Sequence, residues 1–169
     1  KDDALAAKLP EKIRAAGKIV VGTDATYAPN EFLDADGKTV KGMDVDLFNA
    51  VAQTLGVTVE WVPAKFDSII LGVGSGKFDV GVSSFTINDK RKERVTFAGP
   101  YYVAGQQLMV RSDNTAITGP DALKANPAAK VCSVTGSTPA ENIKEYLAAP
   151  GQLVLFDVYD KCADALRTK

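Results

Sequence analysis

The residues of this sequence that are best suited to bind a ligand lie around Arg91. A guanidinium can bind a carboxylate through two parallel N–H···O hydrogen bonds, and the Thr86 hydroxyl and nearby backbone N–H groups could add further donors. The alternative is that Arg91 belongs to a solvated helix face, because it lies in the charged run DKRKER at positions 89–94. The first interpretation predicts a carboxylate-binding site.

A second candidate for anion binding lies further along the chain. Gly136 permits close approach of the backbone to a ligand, and a helix beginning near Thr138 would direct its N–H groups and the positive end of its dipole at an anion. Together with Arg91, these residues predict one anion site to which two parts of the chain contribute.

Strand-like and helix-like segments alternate along the sequence, which predicts βαβ units and a mostly parallel sheet. The organisation restarts after residue 110, so a second set of strands and helices is expected. The predicted strands are 18–23, 57–62, 78–82, 130–134 and 152–156. Helices are predicted at 9–16 and 44–55, and further helices begin at a cap at 67–68 and near 89. In the second set, one helix has its cap and first turn at 138–139 and directs Ile143 and Leu147 inward, and a final helix ends at 166.

Polar and aromatic residues follow four of the predicted strands. They occupy positions 24–30, 66–67, 83–86 and 135–138. Ligands of open parallel sheets bind outside the carboxyl ends of the strands, so these segments are expected to surround a ligand. Each segment alone is also consistent with ordinary turns and helix caps.

The composition excludes several classes of function. The chain has 169 residues, a formal net charge of −1 and no histidine. The charge gives no footprint for nucleic acid or an anionic membrane, and the lack of histidine excludes His-dependent catalytic triads and His–metal sites. No apolar run reaches the length of a membrane helix. We therefore expect no metal, no cofactor and no nucleic-acid partner.

Two further motifs are rejected on their spacing. Residues 72–77 (GVGSGK) resemble a phosphate-binding loop, but Phe78 stands where that loop needs Ser or Thr, and a strand follows instead of preceding. Asp44 and Asp46 could suggest paired catalytic carboxylates, but two positions apart on a helix they do not face each other. We interpret Asp44 and Asp46 as helix-start capping residues.

The two cysteines leave two interpretations. Cys132 and Cys162 are too few and too far apart for a metal cage. A disulfide between them would stabilise the fold by roughly 3 to 4 kcal/mol and indicate an oxidising compartment. The alternative is two buried thiols that pack as small apolar side chains.

Six sequence blocks follow one another along the chain: DATYAP at 24–29, GMDVDL at 42–47, FDSII at 66–70, SGKFDV at 75–80, TINDKR at 86–91 and FAGPYY at 97–102. In sequence and order they resemble the polar amino-acid-binding proteins of ABC importers, the periplasmic solute-binding protein family 3. The resemblance covers about residues 18–140 and implies an α/β protein with the type II periplasmic-binding-protein fold, its first lobe nearly complete and its second lobe partial. We expect the first lobe at 1–110, a connector at 111–114 and the partial second lobe at 115–169.

What the resemblance implies about function is the capture of a polar L-amino acid in the cleft between the lobes and its delivery to the membrane permease of an ABC importer. The protein would be periplasmic or at the cell surface, either secreted or lipid-anchored, with its leader absent from this chain, and it would not be an enzyme. In that compartment Cys132 and Cys162 are expected to form a disulfide. The alternatives are a ligand-sensing receptor domain and an enzyme similar to cyclohexadienyl dehydratase.

Roles for individual residues also follow from the resemblance. Arg91 would clamp the ligand α-carboxylate, with Ser137 and Thr138 as contacts from the second lobe, and Asp24 would meet a polar or cationic ligand side chain. The expected ligand-binding residues are Asp24, Tyr27, Asn30, Phe66, Ser84, Phe85, Thr86, Arg91, Ser137 and Thr138.

The sequence departs from the family pattern at several points. Asn30 stands where an aromatic residue is usual, so the pocket is expected to be more polar, and Gly72 and Gly74 weaken a helix by roughly 1 kcal/mol each. The family's second-lobe acid that pairs with the ligand amine has no counterpart before Lys169. We therefore expect either a fragment of a chain of about 230 to 250 residues or one exchanging piece of an assembly, prone in both cases to self-association or domain swapping.

Overall fold

The computed structural model describes residues 1–168, which form two compact units. The first unit ends at Phe97 and the second begins at Ala98. This division precedes the connector predicted at 111–114, whose role in joining two lobes stays a prediction. No described helix is long and apolar enough to cross a membrane.

The first unit combines a three-stranded sheet with helices and a small antiparallel sheet. Its helices are α1 (Asp3–Ala6), α2 (Glu11–Ala16), α3 (Met43–Leu55), α4 (Phe66–Gly74) and α5 (Asp89–Lys92). Its strands are β1 (Lys18–Thr23), β2 (Thr26–Tyr27), β3 (Glu31–Leu33), β4 (Val40–Lys41), β5 (Thr58–Pro63) and β6 (Val80–Gly81).

The main sheet has the order β5–β1–β6, and all its strands are parallel. Val21 lies opposite Trp61 on one side and Val80 on the other, and its side chain is fully buried. The predicted parallel sheet is confirmed, although the strand predicted at 78–82 shortens to two residues. The antiparallel sheet β2–β3–β4 was not predicted, because strands of two or three residues show too little alternation to be recognised.

Helices α2 and α3 each end at a glycine, as the sequence predicted. Gly17 and Gly56 both adopt left-handed backbone conformations after α2 and α3. The predicted cap at 67–68 is wrong: α4 begins at Phe66, its N-cap Lys65 makes no side-chain cap, and the Ser68 hydroxyl donates to the Lys65 carbonyl at 2.7 Å. A hydroxyl three residues into a helix can bond back to a nearby carbonyl as readily as it caps a new helix.

Two glycines make room for the ring of Phe78. A Cβ atom added at Gly22 or at Gly72 would lie 2.5 Å from that ring. The ring therefore packs directly on the backbone of β1 and of α4, and it is almost completely buried. This contact explains why α4 contains Gly72 in spite of its poor helix propensity. Gly74 has no such steric explanation, because an added Cβ atom there would make only an ordinary contact of 3.9 Å with the Arg94 carbonyl oxygen.

The second unit repeats a strand and helix order around two parallel strands. It contains α6 (Ala122–Ala125), β7 (Val131–Val134), α7 (Thr138–Asn142), β8 (Leu153–Phe156) and α8 (Tyr159–Thr168), with short 3-10 helices at Ile143–Tyr146 and Pro150–Gln152. The parallel pairing of β7 with β8 is confirmed. The N-cap of α7 is Ser137, not Thr138, and the expected continuation through Ile143 becomes a 3-10 turn.

The second unit is held by a disulfide and by a buried glutamine. The predicted Cys132–Cys162 disulfide is confirmed, and it joins β7 to α8. Gln152 is only 1% exposed. Its amide nitrogen lies 3.0 to 3.2 Å from the carbonyls of Leu123, Asn126 and Ala129, and its amide oxygen accepts from the N–H groups of Ala148 and Ala149.

Candidate functional site

The predicted ligand-binding residues of the first unit follow strands whose carboxyl ends lie at one edge of the main sheet. Asp24 follows β1, Phe66 begins the helix after β5, and residues 83–91 follow β6. Because the three strands are parallel, their carboxyl ends share that edge. The sequence argument about strand ends therefore applies to the observed sheet.

Arg91 is held in place by its own segment. Its side chain is only 8% exposed. Nη1 donates to the Thr86 carbonyl at 2.8 Å, and the Arg91 backbone N–H donates to the Asn88 carboxamide oxygen at 2.9 Å. The alternative of a solvated helix face does not apply to the buried Arg91, whereas Arg94, in the turn after α5, is exposed. Fixing the planar guanidinium in this way reduces the conformational entropy that binding a carboxylate would cost.

Two phenylalanine rings support the guanidinium. The rings of Phe66 and Phe85 stack with their centroids 4.5 Å apart, and the Arg91 guanidinium carbon lies 5.4 Å and 5.2 Å from them. Such cation–π contacts contribute about 1 to 2 kcal/mol when they are shielded from water. Phe66 is buried and Phe85 partly buried, so these aromatics both fill the core and position the charge.

A hydrogen-bond network fixes the backbone just before this group. Ser84 adopts a positive φ of 48°, which non-glycine residues rarely do. Its N–H donates to the Asp44 carboxylate at 2.8 Å, and its hydroxyl oxygen lies 3.1 Å from the same carboxylate oxygen. The Asn30 side-chain N–H2 donates to the Ser84 hydroxyl oxygen at 2.8 Å. These bonds hold Ser84 in its strained conformation.

Glu31 lies at the centre of the same network. It is 1% exposed, and the Ser83 hydroxyl donates to its Oε1 at 3.0 Å. Burial, together with the nearby carboxylate of Asp44, raises the pKa of Glu31 to about 9. Glu31 is therefore protonated and uncharged near neutral pH. Asp24 adds a smaller increase to the same pKa.

Asp44 lies in a different environment from the one that the sequence predicted. We expected it to cap α3, but the N-cap of that helix is Gly42 and no side chain caps it. Asp44 is instead fully buried and accepts hydrogen bonds from Ser84. A side chain at Gly42 could not fit, since a Cβ atom there would lie 2.1 Å from the Asn30 carbonyl oxygen. That close approach brings the start of α3, and Asp44 with it, up to Asn30. The exposed Asp46 remains in the first turn.

The remaining predicted residues of the first unit differ in their exposure. Asp24 is 2% exposed: its carboxylate accepts from the Thr26 hydroxyl at 2.7 Å, and its N–H donates to the Ser83 hydroxyl at 3.0 Å. Tyr27 and Thr86 are exposed. The ligand contacts predicted for these residues stay predictions, and the burial of Asp24 means that its main visible role is within the loop after β1.

In the second unit, Ser137 and Thr138 begin α7. The buried Ser137 hydroxyl accepts from the Ala140 N–H at 3.3 Å, so it serves as the helix cap. Gln106, which the sequence analysis did not single out, donates to the Thr138 hydroxyl at 3.0 Å and accepts from Asn142 at 3.0 Å. The ligand contacts predicted for Ser137 and Thr138 stay predictions.

Sequence reasoning missed the buried Glu31, whereas Ser83 lies in the segment 83–86 that was expected near the ligand. Glu31 lies in a block of ordinary polarity, and no spacing rule separates a buried glutamate from an exposed one. The available signal was the hydroxyl pair at 83–84 directly after a strand, which indicates a polar network at the sheet edge. Among residues 1–168, no cluster of histidine, cysteine and acidic side chains could hold a metal ion.

Residues 19–169 match the family model of bacterial extracellular solute-binding proteins, family 3. The chain belongs to this family. The match extends across both compact units and beyond the six sequence blocks, so the family resemblance that these blocks carry is confirmed.

Two curated proteins illustrate how relatives of this family-3 protein vary. The L-cystine-binding protein TcyJ of Escherichia coli K12 is 34% identical over 106 residues, which are 63% of this chain and 40% of TcyJ. The glutamate-binding protein GluB of Corynebacterium efficiens is 34% identical over 158 residues, 89% of this chain and 52% of GluB. The chain thus spans about half the length of the curated relatives it matches.

Solved structures confirm the fold of this family-3 protein. The ancestral amino acid-binding protein AncCDT-1, described as a precursor of cyclohexadienyl dehydratase, superposes with a TM-score of 0.86 at 36% identity, covering 94% of this chain and 69% of AncCDT-1. An ancestral arginine-binding protein bound to arginine has a TM-score of 0.82 at 37% identity, covering 90% of this chain and 66% of that protein. The predicted type II periplasmic-binding-protein fold is confirmed.

Proposed function

We propose that this protein captures a polar L-amino acid outside the cytoplasm and delivers it to the membrane permease of an ABC importer. The observation that carries the proposal is Arg91, a buried guanidinium fixed by the Thr86 carbonyl and by two aromatic rings at the carboxyl edge of the sheet. A positioned guanidinium of this kind is suited to the α-carboxylate that every free amino acid carries.

The matched relatives are named for cystine, glutamate and arginine, so family membership supports an amino acid without selecting one. Asn30 and Asp24 would favour an amide or a basic side chain, and both are engaged in hydrogen bonds within the first unit. We propose an uncharged amide or a cationic amino acid as the ligand class.

Location and activity follow from the same proposal. The family is described as extracellular, and we propose a periplasmic or cell-surface position for this member. The confirmed disulfide agrees with an oxidising compartment. The curated relatives reported above are binding proteins, and we propose that this protein is likewise not an enzyme.

Replacing Arg91 tests the proposal directly. Twenty free L-amino acids are screened by thermal shift against the full-length gene product, since a ligand at 100 times its dissociation constant adds about 2.7 kcal/mol to stability. For the amino acid that binds, Arg91→Ala is expected to reduce affinity at least about 100-fold by calorimetry, because the carboxylate loses its charged hydrogen-bond partner.

Two matched variants sharpen that test. Arg94→Ala removes an exposed arginine from the same segment and is expected to leave affinity unchanged. Arg91→Lys keeps the charge but loses the planar fork, so intermediate affinity is expected. Affinity of Arg91→Ala within threefold of the unsubstituted protein would refute the proposed role.

The enzyme alternative is tested in the same protein. AncCDT-1 is described as a precursor of an enzyme, so prephenate and arogenate are suitable substrates for a turnover assay. We expect binding of a free amino acid and no turnover of either compound. Turnover without amino-acid binding would replace the proposed function.

A further inference from the structure

We propose that Glu31 and Asp44 share one proton and that this protonated pair positions the backbone of Ser83 and Ser84. That backbone leads directly into the segment 86–91, in which the Thr86 carbonyl holds Arg91. The inference rests on the proposed function in one respect, because it assigns the network a consequence for ligand affinity. Its first part, the position of the proton, is independent of any ligand.

Hydrogen counting locates the proton. The Ser83 hydroxyl has a single hydrogen, which it donates to Glu31 Oε1 at 3.0 Å, while its oxygen accepts from the Asp24 N–H at 3.0 Å. Oε1 is therefore an acceptor. The Ser84 hydroxyl oxygen lies 3.4 Å from the other carboxyl oxygen of Glu31, Oε2, and 3.1 Å from Asp44 Oδ2, so the two carboxyl groups meet at this hydroxyl. A side-chain hydrogen bond with Asp44 contributes to the raised pKa of Glu31. Two carboxyl groups can be hydrogen-bonded to each other only if one of them carries the hydrogen.

The bonds around Ser84 place that hydrogen on Glu31. Asp44 Oδ2 accepts from the Ser84 N–H at 2.8 Å, which favours a charged acceptor at Asp44. The Ser84 hydroxyl lies 3.1 Å from this oxygen and 3.4 Å from Glu31 Oε2, so its single hydrogen is best donated to Asp44. Glu31 is then the donor of the pair, and Asp44 is the carboxylate that holds Ser84.

Burial explains why the pair keeps the proton. Both side chains are essentially inaccessible to water, so ionising the pair would place two negative charges together without solvation. The titratable groups that act on Glu31 are Asp44, from the first turn of α3, and Asp24, from the segment after β1. Both are acidic, and both therefore oppose loss of the proton.

The Glu31–Asp44 pair is connected to Arg91, the proposed carboxylate-binding residue, through the backbone that follows Ser84. Ser84 needs support because its φ of 48° is unfavourable for a residue with a side chain. Phe85 follows immediately and contacts Arg91 through its ring, and the Thr86 carbonyl accepts from the same guanidinium. Loss of the shared proton would force the two carboxylates apart and release Ser84. Glu31 is thus a positioning residue, which acts on Arg91 through Asp44 and the backbone of Ser84 to Thr86.

The experiment combines a titration with a binding assay. In the unsubstituted protein, NMR follows the Glu31 side-chain carboxyl carbon and the Ser84 amide across the pH range. Calorimetry measures the affinity for L-glutamine and L-arginine in the unsubstituted protein and in Glu31→Gln, whose amide can still donate to Asp44 but cannot ionise. Comparing the two proteins at each pH cancels the titration of the ligand itself. Asp46→Asn is the matched control, because it removes an exposed carboxylate from the same helix turn as Asp44.

We expect the Glu31 carboxyl to titrate near pH 9 and the Ser84 amide to follow it. The affinity of the unsubstituted protein, relative to Glu31→Gln, is expected to fall about tenfold from about pH 7 to about pH 10. Asp46→Asn is expected to show the same decline as the unsubstituted protein.

Titration of Glu31 near its ordinary pKa of 4.5 would overturn the proton assignment. A constant affinity ratio between the two proteins across that range would overturn the positioning role, even with a raised pKa. If neither amino acid binds at any pH, the proposed ligand class fails, and the NMR titration alone decides the inference: a Ser84 amide that follows Glu31 supports it, and one that does not refutes it. The titration needs no variant, so misfolding of Glu31→Gln cannot obscure the result.

Discussion

The two compact units bury polar side chains in chemically different ways. In the second unit, the neutral Gln152 bridges three carbonyls and two N–H groups from the turns around it. In the first unit, Glu31 and Asp44 bring two acids together away from water. A neutral amide satisfies its neighbours at any pH, whereas an acid pair is stable only while it retains a proton. The first network lies beside the proposed ligand group, where sensitivity to conditions has a functional consequence.

The largest effect on this comparison is expected from the disulfide. Replacing both Cys132 and Cys162 by serine should destabilise the second unit by about 3 to 4 kcal/mol, because the unfolded chain is no longer closed into a loop. Amide hydrogen exchange by mass spectrometry, which resolves the two units, measures the change. Faster exchange in β7 and α8 with little change in β1 is expected. Equal acceleration in both units would show that they do not differ in this way.

A somewhat smaller effect is expected for Gln152→Leu. The substitution leaves buried carbonyl and N–H groups without their partner, at a cost of about 2 to 3 kcal/mol in the free energy of unfolding. Chemical denaturation at several pH values is the appropriate measurement, since the loss should be independent of pH. Gln107→Leu changes an exposed glutamine of the same unit and should cost little. A loss below about 0.5 kcal/mol for Gln152→Leu would mean that the turns do not depend on this side chain.

The smallest effect near neutral pH, and the only one that depends on pH, is expected for Glu31. Its pKa is raised from 4.5 to about 9 in the folded protein, so between these values the folded state binds a proton that the unfolded state has lost. The stability of the unsubstituted protein, relative to Glu31→Gln, should therefore fall as the pH rises through this range, by about 2 kcal/mol between about pH 7 and about pH 9. Denaturation curves of the two proteins measure the difference, and parallel stability profiles would contradict the assignment.

Much of the main sheet could be predicted from the sequence, because its evidence is local. The β-branched run at 18–23 and the helical spacing at 44–55 followed by Gly56 specify elements without reference to the rest of the chain. The carboxylate-binding role of Arg91 came from a block resemblance and stays a prediction, and the cysteine pairing needed the same resemblance to choose between two interpretations. The strand and helix predictions succeeded because residues adjacent in the sequence determine these elements.

The buried acid network could not be predicted, because its members are distant in sequence. Glu31, Asp44 and Ser83 come from a short strand, a helix start and a segment after a strand. Each residue type is ordinary at its position, and nothing local reveals that tertiary packing buries all three. Gln106 and Gln152 escaped notice for the same reason: a glutamine shows its importance only when its partners are known.

The packing of Phe78 between Gly22 and Gly72 implies that these three positions cannot vary independently over evolutionary time. An alanine at either glycine would place a methyl group 2.5 Å from the ring, so it could be accepted only after the aromatic residue had been replaced by a smaller one. Among homologues, larger residues at 22 or 72 should therefore accompany smaller residues at 78. Covariation at these sites would show that β1 and α4 share the space filled by the Phe78 ring, which conservation at each position alone could not reveal.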